Sequence, residues 1–145
     1  MKIAFASDHA GYAMKTELAA WLRSDTRYTV IDLGTHTEDS CDYPDYGEAA
    51  ARSVLNGDAD RAILICGTGL GIGITANKIA DFRCAICANE TMAVLARKHN
   101  DAQGLAFGSR IVGIEVAKSM IRAFLSEPFD GGRHAVRVRK IGTAR

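Results

Sequence analysis

Residues 61–73 read Arg-Ala-Ile-Leu-Ile-Cys-Gly-Thr-Gly-Leu-Gly-Ile-Gly. The apolar run 62–65 is short and closed by turn residues, the pattern of a strand buried on both faces. Glycines at 67, 69, 71 and 73 then lead into a helix near 72–80. The same strand–loop–helix unit recurs on either side. Residues 3–6 form an apolar strand, the loop Ser7-Asp8-His9-Ala10-Gly11 follows, and 12–23 place Met14, Leu18, Trp21 and Leu22 at helical spacing. "YTVIDLG" (28–34) is a second strand. A polar loop over 35–43 ends at Pro44, well placed in the first turn of a helix running to about residue 55. After the turn "NGDAD" and the strand at 61–66 come "RCAICA" (83–88), a helix over 90–98, "GLAFG" (104–108) and a helix over 112–125.

Five strands alternating with helices predict an α/β chain, a three-layer α/β/α doubly wound sandwich on a five-stranded parallel sheet of Rossmann or flavodoxin-like type. Residues 1–145 read as a single domain with right-handed crossovers. Residues 128–145 form a basic tail or helix. At 145 residues a hydrophobic core suffices without disulfide or metal staples. A net charge of +1 argues against nucleic-acid binding as the main purpose, and no apolar run is long enough to cross a membrane. The N-terminal apolar stretch is too short for a signal peptide. Cysteines 41, 66, 84 and 87 show no paired framework, so reduced thiols in a cytoplasmic protein are expected. Cys84 and Cys87, three apart in a strand, point to opposite faces and suit neither a redox pair nor a zinc site.

In such folds ligands bind beyond the carboxyl ends of the strands. Polar residues stand at three of those ends: Asp8 and His9, Cys66 to Thr68, and Ser109 with Arg110. The glycine loop matches no Walker pattern, because no two of its glycines are an odd number apart, and no dinucleotide fingerprint at the first turn. A phosphatase loop would want an arginine where Ile72 stands. What remains is a loop whose backbone N–H groups can approach a ligand without Cβ obstruction. The start of the following helix favours negative charge there, including the thiolate of Cys66. A thiolate beside convergent donors suits nucleophilic attack on a carbonyl, or proton abstraction next to one with the donors holding an enediolate. The plainer alternative is a buried strand cysteine before a tight turn.

Each other candidate carries two readings. Asp8 can cap a helix or bind a ligand, and His9 can hold an anion or move a proton. His99 and Asn100 follow the fourth helix as a C-terminal cap or as site residues, with Asn100 suited to left-handed geometry. Arg133 and Arg137 share a face if the tail is helical and would clamp a phosphate; otherwise they belong to a solvated basic tail.

Together "SDHAG", "DYPDYG", "ICGTGLGI…ANK", "RKHND", "LAFGSR" and "GGRHAVRV", in this order, resemble the type B ribose-5-phosphate isomerases and their galactose- and allose-6-phosphate relatives. The resemblance runs from residue 3 to about 139. It implies an aldose–ketose isomerase of a phosphorylated sugar, acting as a homodimer or tetramer with sites shared between subunits and without metal or organic cofactor. It implies Cys66 as the base at C2, Gly67, Gly69, Leu70 and Gly71 as the backbone cradle of the enediolate, and His99 as the ring-opening acid. Thr68 is a helper in proton return. Asp8, His9 and Asn100 then contact hydroxyls or phosphate, and Arg110, Arg133 and Arg137 the phosphate. Relatives lacking the cysteine use a glutamate where this chain has Ile72, so this chain fits the thiol version. Ribose 5-phosphate is the expected substrate. Six-carbon 6-phosphate sugars, a non-catalytic sugar-phosphate-binding module and a flavodoxin-like electron carrier are the rivals; the last lacks the Ser/Thr-rich cradle after the first strand.

Overall fold

Residues 1–143 are described by a computed structural model; residues 144 and 145 of the basic tail lie outside it. Apolar runs give the strands β1 (Lys2–Ser7), β2 (Thr29–Asp32), β3 (Arg61–Cys66), β4 (Cys84–Ile86) and β5 (Gly104–Gly108). Amphipathic segments give α1 (Tyr12–Arg23), α2 (Tyr43–Leu55), α3 (Leu70–Lys78), α4 (Glu90–Asn100), α5 (Ile114–Ser126) and α6 (Arg133–Gly142). Every strand pair is parallel, in the order β2-β1-β3-β5-β4. The expected three-layer α/β architecture is therefore present.

The order differs at one edge from the 2-1-3-4-5 of a flavodoxin-like sheet. β5 is buried along its whole length, whereas β4 has three residues and is partly exposed. The fully apolar strand takes the interior and the short one the edge, where unpaired backbone is least costly. This exchange brings the end of β5 beside the end of β3, with Cys66 opposite Gly108.

Alternation along the strands divides the core into two unlike halves. Ile3, Phe5, Ile63, Ile65, Leu105 and Phe107 face α1, α4 and α5. Ala4, Ala6, Ala62, Leu64 and Ala106 face α2 and α3, which the small side chains allow to lie close to the sheet. Cys84 belongs to the second half and Cys87 to the first, as the spacing predicts. Burial pushes the Cys84 thiol far above its usual range and the Cys87 thiol up to about 11, so neither is ionised near neutral pH.

One shifted boundary and one element left open by the sequence bear on the site. α4 extends through His99 and Asn100, and the left-handed cap falls on Asp101 (φ 45°) rather than Asn100. Its side chain explains why: Arg97 Nη1 donates to Asp101 Oδ1 at 2.8 Å, and Arg83 Nη2 to the Asp101 carbonyl at 2.9 Å. The basic tail is a helix, α6, so Arg133 and Arg137 do stand one turn apart.

Candidate active site

The chain moves from β1 outward to β2 and then back past β1 to β3. The loops after β1 and β3 therefore diverge and leave a crevice, the usual ligand position in open α/β sheets. A cavity of about 350 Å³ lies there. Asp8, His9 and Ala10 line it from β1, Cys66, Gly67, Thr68 and Gly71 from β3, and Arg110 from β5. Arg110 is there because of the strand exchange. Ser109 N–H donates to the Cys66 carbonyl at 2.9 Å and Arg110 N–H to the Gly67 carbonyl at 3.0 Å.

Cys66 is 4% exposed, yet it borders this cavity. Its Sγ accepts the Gly69 N–H at 3.1 Å, at the start of α3. Gly69 has φ +80°, and a Cβ on it would stand 2.6 Å from the Phe107 carbonyl carbon. A Cβ on Gly108 would stand 2.5 Å from the Thr68 carbonyl carbon. Loop and strand thus cross in backbone contact, a crossing that only glycine permits. The missing side chain of Gly71 makes way for the Tyr43 ring, and that of Gly73 for Ile86. The clearance expected for a ligand is, at these positions, occupied by the protein itself.

The backbone donors divide likewise. Gly69 N–H is committed to Cys66 and Leu70 N–H to Thr68 Oγ1 at 3.3 Å. Among the described residues, the N–H groups of Gly67, Thr68 and Gly71 make no hydrogen bond. They are the donors left for a developing anion at the positive end of α3.

Asp8 is buried and caps the turn after β1, its Oδ1 accepting Gly11 N–H at 3.1 Å. It caps this turn and also lines the cavity. His9 Nδ1 lies 3.2 Å from the Cys41 backbone nitrogen and 3.3 Å from its carbonyl oxygen, which ties the ring to the 35–43 loop. Tyr43, from the start of α2, also lines the cavity. It was not among the candidates, because "DYPDYG" counted as a helix start and as one motif of the resemblance without a role for its tyrosine; the signal was the glycine at 71, whose missing side chain its ring replaces.

His99, Asn100, Arg133 and Arg137 are elsewhere. α4 runs back along the sheet, and residues 101–103 join it to Gly104, the first residue of β5. Gly108, at the other end of β5, is the partner of Cys66. At about 3.3 Å per residue the strand separates the two ends by roughly 13 Å. His99 stacks on His134 of α6, with ring centroids 4.2 Å apart and planes 3° from parallel. Asp130 completes a group whose ligating atoms lie within 4.8 Å of one another. A metal must lie near the plane of each imidazole it binds, and two parallel stacked planes share no such point. The group does not fit a shared ion.

One chain thus carries a thiol, a hydroxyl and an arginine at the carboxyl end of the sheet, and two imidazoles with two arginines at the other. Comparison with known proteins accounts for such a chain. The family model described as Ribose/Galactose Isomerase matches residues 3–141. Ribose-5-phosphate isomerase B of Escherichia coli (strain K12) is 47% identical, with 97% of this chain and 93% of that protein covered. The structure of Clostridium thermocellum ribose-5-phosphate isomerase B superposes with a TM-score of 0.96 at 51% identity, covering 99% of this chain and 96% of that one. The ribose 5-phosphate isomerase of Thermotoga maritima does so with a TM-score of 0.95 at 46% identity, covering 99% and 98%. Sequence, fold and the crevice at the end of β3 agree: this chain is an isomerase of the ribose/galactose isomerase family.

Proposed function

We propose that the chain interconverts ribose 5-phosphate and ribulose 5-phosphate through an enediolate, with Cys66 as the base. The observation that carries this reading is the Cys66 sulfur at the edge of the crevice, hydrogen-bonded to the first turn of α3 beside the unengaged N–H groups of Thr68 and Gly71. The Cys66 thiolate takes the C2 proton of the opened aldose. Electron density moves onto O1, where those N–H groups oppose the charge. The thiol returns its proton to C1, while Thr68 Oγ1 relays the hydroxyl proton from O2 to O1, leaving the ketone at C2. Proton transfer and fixed dipoles suffice for this sequence. Asp8 and His9 hold hydroxyls or phosphate, and Arg110 faces the phosphate.

The furanose must first open, and His99 is the acid proposed for its ring oxygen. Because its own chain holds it at the far end of the sheet, it serves the cavity of a second copy, with Asn100, Arg133 and Arg137 from the same end. Leu70 and Ile111, next in sequence to the lining residues Gly71 and Arg110, and Ile74, one helical turn after Leu70, are 54%, 59% and 58% exposed, apolar surface suited to such a partner. The protein is therefore proposed to be at least a homodimer. No described helix is long and apolar enough to cross a membrane, and the four cysteines are free, which supports a cytoplasmic setting.

Complementation tests both chemistry and assembly. Cys66→Ala and His99→Asn should each be nearly inactive alone. Unfolded together and refolded, they form hybrids in which one site keeps both groups, restoring about a quarter of wild-type turnover of ribose 5-phosphate. No restoration would defeat the shared site, and full activity of Cys66→Ala alone would defeat the base. Ribose, allose and galactose phosphates assayed side by side fix the substrate; binding without turnover of any of them would mark a binding module.

A further inference from the structure

His134 opens α6 beside Arg133, and only 8% of its surface is exposed. Its imidazole lies flat on the His99 ring. The preceding turn fixes it there. Gly131 and Gly132 both take positive φ, His134 N–H donates to the Gly131 carbonyl at 3.0 Å, and Asp130 N–H donates to the Lys98 carbonyl at 3.0 Å. The start of α6 is thereby tied to the residue next to His99. One face of the His99 ring is covered, while His99 itself stays partly exposed.

We propose that His134 is a positioning residue for ring opening: a buried flat plate that fixes the plane in which His99 presents its proton to the sugar in the partner's cavity. This rests on the reading of His99 as the ring-opening acid. The groups facing His134 are His99 of α4, Arg133 and Arg137 of α6, and Asp130, which Lys98 approaches at 3.7 Å. Burial, with the positive charges of His99, Arg133 and Arg137, holds the His134 imidazole below the usual histidine range, against the pull of Asp130. That environment favours the neutral ring, which offers a π face to His99 where an imidazolium would repel. A flat ring is what the role requires; the nitrogens of His134 are not.

The test compares His134→Phe, His134→Leu and His99→Asn in the full-length assembled protein, with melting temperature and oligomeric state checked for each. The leucine variant should lower kcat for ribose 5-phosphate about tenfold with KM within about twofold, because the acid is misaimed while the substrate still binds. The phenylalanine variant should keep kcat within about threefold of wild type. In the His99→Asn background, where spontaneous ring opening sustains a slow residual rate, the leucine change should have no further effect. Equal behaviour of the phenylalanine and leucine variants would overturn the proposal, as would a full leucine effect without His99. If His99→Asn alone leaves kcat unchanged, the role of His99 has failed; if it lowers kcat sharply while the leucine variant matches wild type, only the role of His134 has failed.

Discussion

At Cys66 a sulfur accepts a backbone hydrogen bond at the start of a helix, a setting oxygen can copy in shape but not in acidity. Cys66→Ser should keep the fold and bind substrate, yet lose at least about 10³-fold in kcat, since a serine hydroxyl is not ionised near neutral pH. Initial rates with a parallel binding titration check this; turnover within a few fold would remove the thiolate from the mechanism. Gly69 makes a different demand. A side chain there meets the backbone of Phe107 with φ at +80°, so Gly69→Ala should cost about 2–4 kcal/mol in chemical denaturation. Cys66, Thr68 and Arg110 were legible as site candidates because they stand at strand ends. The purpose of the glycines was not, because a glycine signals the need for room without saying what fills it. Tyr43 and His134 were hidden for a related reason: each owes its place to a contact with a residue distant in sequence.

Between elements, Lys15 of α1 is wholly buried and pairs with Asp32 at the end of β2, whose Oδ1 also accepts Gly34 N–H at 3.0 Å. Burial raises the cost of the Asp32 charge, but the Lys15 and Gly34 hydrogen bonds outweigh it and hold the carboxyl below its usual range. The native pKa is the lower one, so the stabilisation is complete above the unfolded value near 4 and disappears as pH falls through the native value. Melting temperatures between pH 6 and pH 2 should fall less steeply in Asp32→Asn than in wild type. Asp32→Ala, which leaves the lysine buried and unpaired, should cost about 3–5 kcal/mol at pH 7. Periodicity located the five strands and the first five helices to within a few residues and left the sixth open as tail or helix. It could not supply the strand order, since a parallel pair is chosen by which strand tolerates burial on both faces. Nor could it show that Lys15, one polar letter among Met14, Leu18 and Trp21, points inward.

For the whole molecule, the two ends of the sheet hold different parts of the proposed chemistry. Specific activity should therefore decline on dilution in step with dissociation of the proposed dimer. Rates and light scattering over the same concentrations check this; constant specific activity of a demonstrated monomer would refute it. The sequence displayed both groups of residues but not the strand length that keeps them apart, because the direction of a helix relative to its sheet emerges only once the crossovers are laid down. The unequal halves of the core have an effect of another kind. Where Ile65 and Phe107 meet helices, the damage comes from removing atoms, and Ile65→Val should cost about 0.5–1.5 kcal/mol. Where Ala106 meets α3, nothing is left to remove and the damage comes from adding them, so Ala106→Val should cost about 1–3 kcal/mol. Mutational drift in this protein is thus lopsided: one side of the sheet can exchange volume among neighbours, while on the other Ala4, Ala6, Ala62 and Ala106 leave almost none to trade.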